Sequence, residues 1–275
     1  YNIMQENNSF ISFDNTQIGL LFDDSKHPQY PIRYYNVVDT QGFEFKDDCS
    51  YYGFAYSGRN VLIRKDGKAP ICIQNGMYFS LSDWFRPTVQ LHDEKPESGK
   101  MIIIEVLHTK GDYPKTNYKA APSFGGPIEP TGRLKYIDGC TDSLLIAPVK
   151  MGDPCFNHLH FPKNITQTPH THPTHRIGIV ARGNGECITP FGNLPLTEGM
   201  IFIIKEWNGE SYKKGLDGEM YPVGTHKFDT KEESMDVIAF HPDSDFGATD
   251  INHPMINRTI VDGVRASLLD DIRTK

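Results

Sequence analysis

The chain has 275 residues, of which 38% are hydrophobic and 23% are charged, enough to bury a core in one large domain or two ordinary ones. Its 24 Gly, 19 Pro, 16 Phe and 13 Tyr favour short strands separated by turns over a bundle of helices. The net charge is −7, Lys and Arg do not cluster, and no apolar run approaches the ~20 residues of a membrane span, so neither nucleic acid nor a membrane is expected as a partner.

The first residues and the cysteines bear on the cellular compartment. The N-terminal sequence YNIMQENNSF has no basic stretch followed by an apolar one, so a secretory signal is not expected. The cysteines are odd in number, widely spaced and without a CxxC pair, which predicts reduced thiols in a cytoplasmic protein. They are Cys49, Cys72, Cys140, Cys155 and Cys187.

Segments of strand length, bounded by Gly, Pro, Asn and Asp, follow one another along most of the chain. In chain order they are YYGFAYSG, NVLIRKDG, PICIQNG, MIIIEVL, SLLIAPV, RIGIVARG, GMIFIIKEW and DVIAFHP. The tail GVRASLLDDIR has helical spacing instead, because Val264, Leu268 and Ile272 recur every fourth residue. The pattern therefore predicts an all-β protein with a short C-terminal helix.

Residues 57–79 and residues 181–202 resemble each other. In each, a Gly leads into a strand, a Gly-centred turn reverses the chain, and a second strand ends in Gly-Met-x-Phe. Coincidence is the alternative, since turns demand Gly, but duplication of one β module is the better interpretation. Residues 113–132 are rich in Pro and Gly and are predicted to be a linker, which gives two domains, residues 1–115 and residues 116–275.

Five of the eleven histidines lie close together in the second half of the chain. In the tightest group, TPHTHPTHR, His170 and His172 stand two residues apart. Residues i and i+2 of a strand share a face, so these imidazoles are expected to point into one space. Neutral imidazole binds transition metals, but two ligands make a weak site. The candidate third ligand is His226, which follows a turn shaped by Pro222 and Gly224.

These residues resemble the first sequence motif of the cupin superfamily, G-x5-H-x-H, then three or four residues, E-x6-G. Asn164, the pair of His170 and His172, Arg176 and Gly183 keep every interval of that motif. Asn replaces the first Gly, which is tolerated because Asn adopts the left-handed conformation. Arg176 replaces the glutamate, and a cation cannot bind a metal.

The second cupin motif, P-x-G-x-x-H followed by Asn, is similar to Pro222, Gly224 and His226, with one residue missing before the His and no Asn after it. The resemblance covers residues 130–245 and, through the repeat, residues 50–108 more weakly. The whole chain is therefore similar to a bicupin, with two double-stranded β-helix (jelly-roll) barrels.

The resemblance implies that His170, His172 and His226 bind one divalent metal, as in the three-histidine cupin dioxygenases, which also lack the carboxylate. Fe(II) is the expected ion, with Mn, Ni, Cu and Zn as alternatives. The N-terminal barrel lacks an HxH sequence and is expected to be a metal-free structural half. The competing interpretation is a solvated turn between two prolines, or the remnant of a former site.

Arg176 is a candidate anchor for an anionic substrate. If its guanidinium points into the barrel, an unpaired charge there would be costly, so an anionic partner is expected. That partner is either a substrate carboxylate or an internal acid such as Glu186 or Asp236.

Two further histidines and one of two acids are candidates for additional ligands. His160 shares a face of FNHLHF with His158, and the sequence leaves open whether that face lines the cavity. His175 has the wrong parity for the HxH face and is more typical of the surface. In the long insertion KEWNGESYKKGLDGEMY, Glu206 or Glu210 could restore a carboxylate ligand, and the insertion could form a lid.

The predicted site favours catalysis over storage, because three neutral histidines leave a divalent metal with open positions and strong Lewis acidity. The first hypothesis is a metal-dependent enzyme acting on a small anionic molecule, specifically an Fe(II) cupin dioxygenase. The alternatives are a cupin isomerase or lyase, a non-catalytic cupin that binds or senses a small ligand, and a storage bicupin. Cupin barrels pair through sheet edges, so the resemblance also implies a homodimer.

Overall fold

The computed structural model describes residues 3–38, 43–62, 69, 71–82, 99–243, 260–261 and 264–265. Its contacts divide the chain into two units, Tyr1–Asp243 and Ser244–Lys275. The strands of the first half are β1 (Ile3–Glu6), β2 (Phe10–Phe13), β3 (Gly19–Asp24), β4 (Ile32–Val38), β5 (Ser50–Ser57), β6 (Arg59–Leu62), β7 (Ile71–Gln74), β8 (Tyr78–Leu81) and β9 (Lys100–Val106). A one-turn helix, α1 (Tyr113–Thr116), follows.

The second half is also built from strands, with one 3₁₀ turn at Ile137–Gly139. These strands are β10 (Ser123–Gly125), β11 (Leu134–Lys135), β12 (Thr141–Ile146), β13 (Cys155–Phe161), β14 (Arg176–Ile188), β15 (Leu194–Thr197), β16 (Ile201–Ile204), β17 (Tyr212–Lys214), β18 (Met220–Pro222), β19 (Lys227–Asp229), β20 (Met235–His241), β21 (Ile260–Val261) and β22 (Val264–Arg265). The predicted all-β class is confirmed.

Two antiparallel sheets dominate the unit Tyr1–Asp243, and they share one strand order. The first sheet runs β10-β8-β5-β9-β4-β3, and the second runs β1-β2-β16-β14-β20-β13-β12-β11. Five strands correspond one to one between the two sheets: the first sheet has the order β8-β5-β9-β4-β3, and the second has the order β16-β14-β20-β13-β12. The long strand β14 also pairs with β15 and β19 through its second half, which folds the second sheet over into a barrel. The architecture is the predicted pair of jelly-roll barrels.

The internal repeat appears in the hydrogen bonds of two Gly-Met turns. In the first copy, Gly76 N–H donates to the carbonyl of Ala55 (2.7 Å), and Ala55 N–H donates to the carbonyl of the following Met (2.9 Å). In the second copy, Gly199 and its following Met make the same two bonds with Val180, at 2.8 and 3.0 Å. Gly76 and Gly199 have φ angles of 84° and 83°. This left-handed conformation explains why Gly recurs at both positions.

Two strand pairings cross the boundary predicted between residues 115 and 116. Strand β2 pairs with β16 of the second sheet, and β10, in the predicted linker, pairs with β8 of the first sheet. The linker also contains α1, whose Tyr113 is fully buried. The division into two domains stays a prediction.

Buried side chains form three layers, because alternate residues of a strand point to opposite faces of the sheet. One layer fills the first barrel and includes Tyr51 and Phe79. Another fills the second barrel and includes Leu159 and Val237. A third layer lies between the two sheets and takes residues from both of them. Its members include Tyr34, Tyr52, Phe54, Ile102, Ile104, Phe156, Ile177, Ile179, Ile238 and Phe240.

The predicted helix over residues 263–273 lies outside the described residues except for Val264–Arg265. Those two residues pair with Ile260–Val261 as a short hairpin and are not helical. None of the five cysteines, all of which are described, forms a disulfide. Among the described residues no helix is long and apolar enough to span a membrane.

Candidate metal centre

Three imidazoles converge inside the second barrel. The ring centroids of His170 and His226 lie 4.5 Å apart, and that of His172 lies 5.0 Å from the first and 5.2 Å from the second. One ring nitrogen from each lies within 4.8 Å of the other two. In the described part of the chain no other group of three His, Cys, Asp or Glu side chains has this spacing. We call these three residues the triad.

The backbone holds two of the three histidines against each other. His170 and His226 form an isolated β-bridge, in which each N–H donates to the other carbonyl, at 2.9 and 3.0 Å. Around this bridge the segment carrying His170 and His172 is not the regular strand that the spacing predicts. Pro169 and Pro173 account for the difference, since proline has no N–H to give to a sheet.

The first and last residues of the histidine motif have a left-handed backbone conformation. Asn164 and Gly183 have φ angles of 58° and 72°. At Gly183 a Cβ atom would lie 1.9 Å from the carbonyl oxygen of Ser234, so only Gly fits there. Asn164 shows that Asn replaces the motif's first Gly without changing the turn, as expected from the sequence.

Hydrogen bonds determine which ring nitrogen of two triad members is available to a metal. His170 Nδ1 lies 2.8 Å from the carbonyl oxygen of Thr168, and His226 Nδ1 lies 2.8 Å from that of Gly224. A carbonyl oxygen only accepts, so each neutral ring carries its hydrogen on Nδ1. Nε2 of both rings is therefore left with its lone pair, which is the form that binds a metal.

Burial keeps His172 and His226 uncharged near neutral pH. Burial, assisted by the nearby Arg176 guanidinium, holds the pKa of His172 far below its usual value of 6.5. Burial and the neighbouring His170 lower the pKa of His226 to about 3. Because a metal competes with protons for imidazole, these neutral rings need not release a proton before binding one.

The turn that precedes His226 leaves no room for a side chain at Gly224. Its φ is 82°, and a Cβ atom would lie 2.2 Å from the carbonyl oxygen of Lys205. We expect Gly224→Ala to lower the free energy of unfolding by about 2 kcal/mol and to weaken metal binding by displacing His226. Thermal unfolding and a divalent-metal titration measure the two effects.

Gly209→Ala is the matched control for this prediction. Gly209 has a similar φ of 86° but no heavy atom within 4 Å of an added Cβ. It therefore carries the backbone strain without the contact. Equal losses of stability and of metal affinity in both variants would show that the close approach to Lys205 is unimportant.

The triad lines a narrow cavity of about 30 Å³, which holds only a few water molecules. Buried polar side chains of Gln167, Arg176 and His241 also line it. Burial and the adjacent Arg176 lower the pKa of His241 well below 6.5, so this ring is neutral too. Most of the remaining wall is apolar and comprises Leu159, Phe161, Phe202, Ile204, Phe228, Val237 and Ala239.

Arg176 is 5% exposed and lines this cavity. One of its amino groups donates to the carbonyl and the hydroxyl of Thr174 and lies 3.6 Å from a carboxylate oxygen of Asp243. The Thr174 hydroxyl in turn donates to Asp243 at 2.6 Å. Among the described residues, the acid that lies beside Arg176 is therefore Asp243, and not Glu186 or Asp236 as the sequence suggests.

His158 and His160 face away from the cavity. Leu159 between them lines the cavity, so alternation along β13 places both histidines on the opposite face. Both rings donate to one oxygen of Asp236, at 2.6 and 2.9 Å, and Arg182 lies 3.2 Å from the other oxygen. The structure therefore does not bring His160 to the triad.

His175 and Glu206 also lie outside the triad. Glu206 N–H donates to Nδ1 of His175 at 3.0 Å, and the other ring nitrogen of His175 lies 3.6 Å from Asp24. The His175 side chain is only 17% exposed, so it is less accessible than its parity suggests. The Glu206 carboxylate contacts His27, and Glu210 is exposed, so neither acid supplies a ligand.

Two residues of the cavity, Gln167 and His241, escape prediction from the sequence. His241 begins the tripeptide HPD at the end of β20, and polar residues directly after an apolar strand are a usable signal. Gln167 carries no such signal, because its hydrogen bond to the N–H of Phe228 joins distant parts of the chain.

No model of a known protein family and no curated protein matches the sequence, but solved structures match the fold. The putative glyoxylate-induced protein from Pseudomonas aeruginosa is similar with a TM-score of 0.58 and 10% identity, over 90% of this chain and 93% of that chain. The Ylba protein from E. coli gives 0.55 and 11%, over 90% and 97%. A salicylate 1,2-dioxygenase variant from Pseudoaminobacter salicylatoxidans, in complex with gentisate, gives 0.51 and 9%, over 78% and 68%.

At identities of 9–11%, the likeness is one of fold and not of activity. The two proteins with the higher TM-scores are matched over almost their whole length, so the likeness includes both barrels. The common strand order of the two sheets and the turns of the histidine motif agree with this likeness. The chain therefore shares the fold of these proteins.

Proposed function

We propose that the protein is a metal-dependent enzyme that acts on a small anionic molecule, and specifically an Fe(II) dioxygenase. The observation that carries this proposal is the convergence of His170, His172 and His226 in one small cavity. Two of the three rings have a hydrogen-bonded Nδ1, and burial keeps His172 and His226 neutral. Such a set of neutral nitrogen donors suits a divalent transition metal.

The triad would hold the metal through its ring nitrogens. When bound, iron(II) supplies Lewis acidity and one-electron chemistry with O₂. The apolar wall of the cavity excludes bulk water, which strengthens electrostatic interactions within it. The three neutral ligands leave the charge of the ion uncompensated, which favours an anionic substrate.

Arg176 and His241 are the residues that we assign to substrate binding. The guanidinium of Arg176 is held in place by Thr174 and Asp243, so it can orient a carboxylate without reorganising. His241 is neutral and lines the same space, so its ring can contact the substrate. The small cavity favours a substrate with few heavy atoms.

Metal analysis of protein purified without chelator tests the proposal. We expect near one equivalent of iron per chain and consumption of O₂ with some members of a panel of small carboxylates, diketones and catechol-like compounds. Metal without oxygen consumption would overturn the dioxygenase and favour a cupin isomerase or lyase. Absence of any transition metal would overturn the enzyme and favour a ligand-binding or storage cupin.

Arg176→Lys tests the proposed anion anchor. Lysine keeps a positive charge beside Asp243 but loses the planar pair of donors. We expect kcat/KM to fall by roughly 10–100-fold for carboxylate substrates, the loss typical of a charged hydrogen bond, and to change little for neutral diketones. An equal fall for both classes would contradict the assignment.

We also propose a cytoplasmic homodimer. Strand β1 is an edge strand whose residues are all exposed, including Ile3 and Met4, and such an edge can pair with a second copy. Light scattering on the purified protein measures the mass. A monomer at micromolar concentration would contradict the dimer.

A further inference from the structure

The segment Lys205–Trp207, here called the bridging segment, lies between the two parts of the chain that carry the triad. Trp207 N–H donates to the carbonyl of His172 at 2.9 Å. At the other end, the carbonyl of Lys205 would lie 2.2 Å from a Cβ atom on Gly224, two residues before His226. A shift of the bridging segment would therefore move both parts of the triad.

Glu206, the middle residue of the bridging segment, contacts the first half of the chain through its side chain. The carboxylate oxygens of Glu206 lie 3.1 and 3.2 Å from Nε2 of His27, which follows β3. Nδ1 of His27 accepts the backbone N–H groups of Gln29 (3.2 Å) and Tyr30 (2.9 Å). With Nδ1 occupied as an acceptor, the neutral His27 ring carries its hydrogen on Nε2 and donates it to Glu206.

The contact is partly shielded from water and involves a charge. The side chains of His27 and Glu206 are 11% and 26% exposed. Burial alone would raise the pKa of Glu206, but the hydrogen bond from His27 and the neighbouring His175 together outweigh it, and the pKa is lowered. Glu206 is therefore ionised at neutral pH. A hydrogen bond to a shielded carboxylate is stronger than one between neutral groups in water.

We propose that His27 is a positioning residue for the triad, acting through Glu206 to hold the bridging segment against His172 and the turn before His226. The inference rests on the proposed function, since it gives His27 a part in arranging metal ligands. It assigns the barrel without the triad a direct role in the centre. Outer groups that orient metal ligands are typically worth 10–100-fold in metal affinity.

Substitutions at His27 separate its two hydrogen-bonding roles. Asn at this position offers an oxygen in place of Nδ1, which keeps the contacts to Gln29 and Tyr30, but it is too short to reach Glu206. Gln at this position places an amide nitrogen near the position of Nε2 and can donate to Glu206. His108→Asn is the matched control, because His108 is also in the first half and contacts Ser50 through Nδ1.

Titration of the apoprotein with Co²⁺, followed by its visible absorption, measures affinity and reports the geometry of the bound ion. We expect His27→Asn to weaken Co²⁺ binding about tenfold, the lower end of the range for outer groups, and to alter the absorption band. His27→Gln is expected to recover most of the affinity, and His108→Asn to bind as the unmodified protein does. A His27→Asn, Glu206→Ala double variant is expected to bind Co²⁺ as tightly as either single variant, because both substitutions remove the same contact.

Different failures are distinguishable. If the unmodified protein binds Co²⁺ tightly but His27→Asn and Glu206→Ala bind it equally well, the positioning role is wrong while the metal centre stands. If the unmodified protein binds no Co²⁺, both the centre and the role of His27 are wrong. Thermal unfolding of each apoprotein shows which variants are folded at the titration temperature. If His27→Asn is unfolded there, the Co²⁺ affinity of Glu206→Ala tests the positioning role instead.

Discussion

His226→Asn is expected to abolish specific metal binding while leaving the fold intact. Asn keeps a donor in the position of Nδ1, so the hydrogen bond to the carbonyl of Gly224 can persist, but it has no atom in the position of Nε2. The backbone bridge to His170 needs no side chain. Loss of one of three ligands should cost more than the roughly 10–100-fold associated with outer groups. Metal content after dialysis and a titration with Co²⁺ measure the effect.

His108→Asn serves as the control for this prediction, since it makes the same change at a histidine of the first barrel. It is expected to retain the metal. Retention of one tightly bound equivalent by His226→Asn would show that the third ligand is another residue, and would remove the main support for the proposed chemistry.

Asp236→Asn is expected to destabilise the protein by about 3 kcal/mol, because it weakens two buried hydrogen bonds to a charged carboxylate, each of which contributes roughly 1.5–3 kcal/mol. Asp236 is 4% exposed and receives hydrogen bonds from His158 and His160 as well as the charge of Arg182. An amide oxygen accepts less strongly, and the amide nitrogen would face a donor. Urea denaturation at neutral pH measures the loss.

The pH dependence gives this prediction a second test. Burial raises the pKa of Asp236, but the hydrogen bonds from His158 and His160 and the charge of Arg182 outweigh it, and the pKa lies below 3.8. A carboxyl with a lowered pKa stabilises the fold fully above its unfolded value and loses that contribution as the pH falls through the folded value. The stability difference between the two proteins should therefore be constant from pH 7 to about 5 and shrink only below 3.8.

Arg182→Gln tests whether the exposed ion pair or the two buried hydrogen bonds to Asp236 contribute most of the stability. The Arg182 side chain is 40% exposed, and exposed ion pairs contribute only about 0–1 kcal/mol. A loss as large as that of Asp236→Asn would mean that the ion pair, and not the two histidine hydrogen bonds, stabilises the cluster.

The sequence predicts the parts of the structure that depend on local rules. Strand-length apolar segments give the all-β class, and the Gly-Met turns at Gly76 and Gly199 reveal the repeat, because a left-handed residue at a turn restricts the choice to Gly. The spacing of His170, His172 and the turn before His226 identifies the three rings that converge. In each case the reason for the residue type lies within a few neighbours along the chain.

Contacts between distant segments are what the sequence does not reveal. Arg176 is correctly expected to need an anionic partner, but Asp243 lies two residues beyond the end of β20, far away in the chain, and many acids satisfy the same requirement. Glu206 is a reasonable carboxylate candidate by composition, yet it contacts His27 from the other barrel. The expected strand through His170 and His172 fails because the flanking prolines remove sheet hydrogen bonds.

The pairing of β2 with β16 has a consequence for folding. These partners are separated by most of the described chain, so the loop that joins them is long and the closing contact forms slowly. During synthesis β2 leaves the ribosome before β16, and its apolar residues Phe10, Ile11 and Phe13 lack this partner until Ile201–Ile204 has been made. An apolar strand that lacks its partner during synthesis is prone to aggregate. Co-expression of a chaperone or a low expression temperature should therefore raise the yield of folded protein.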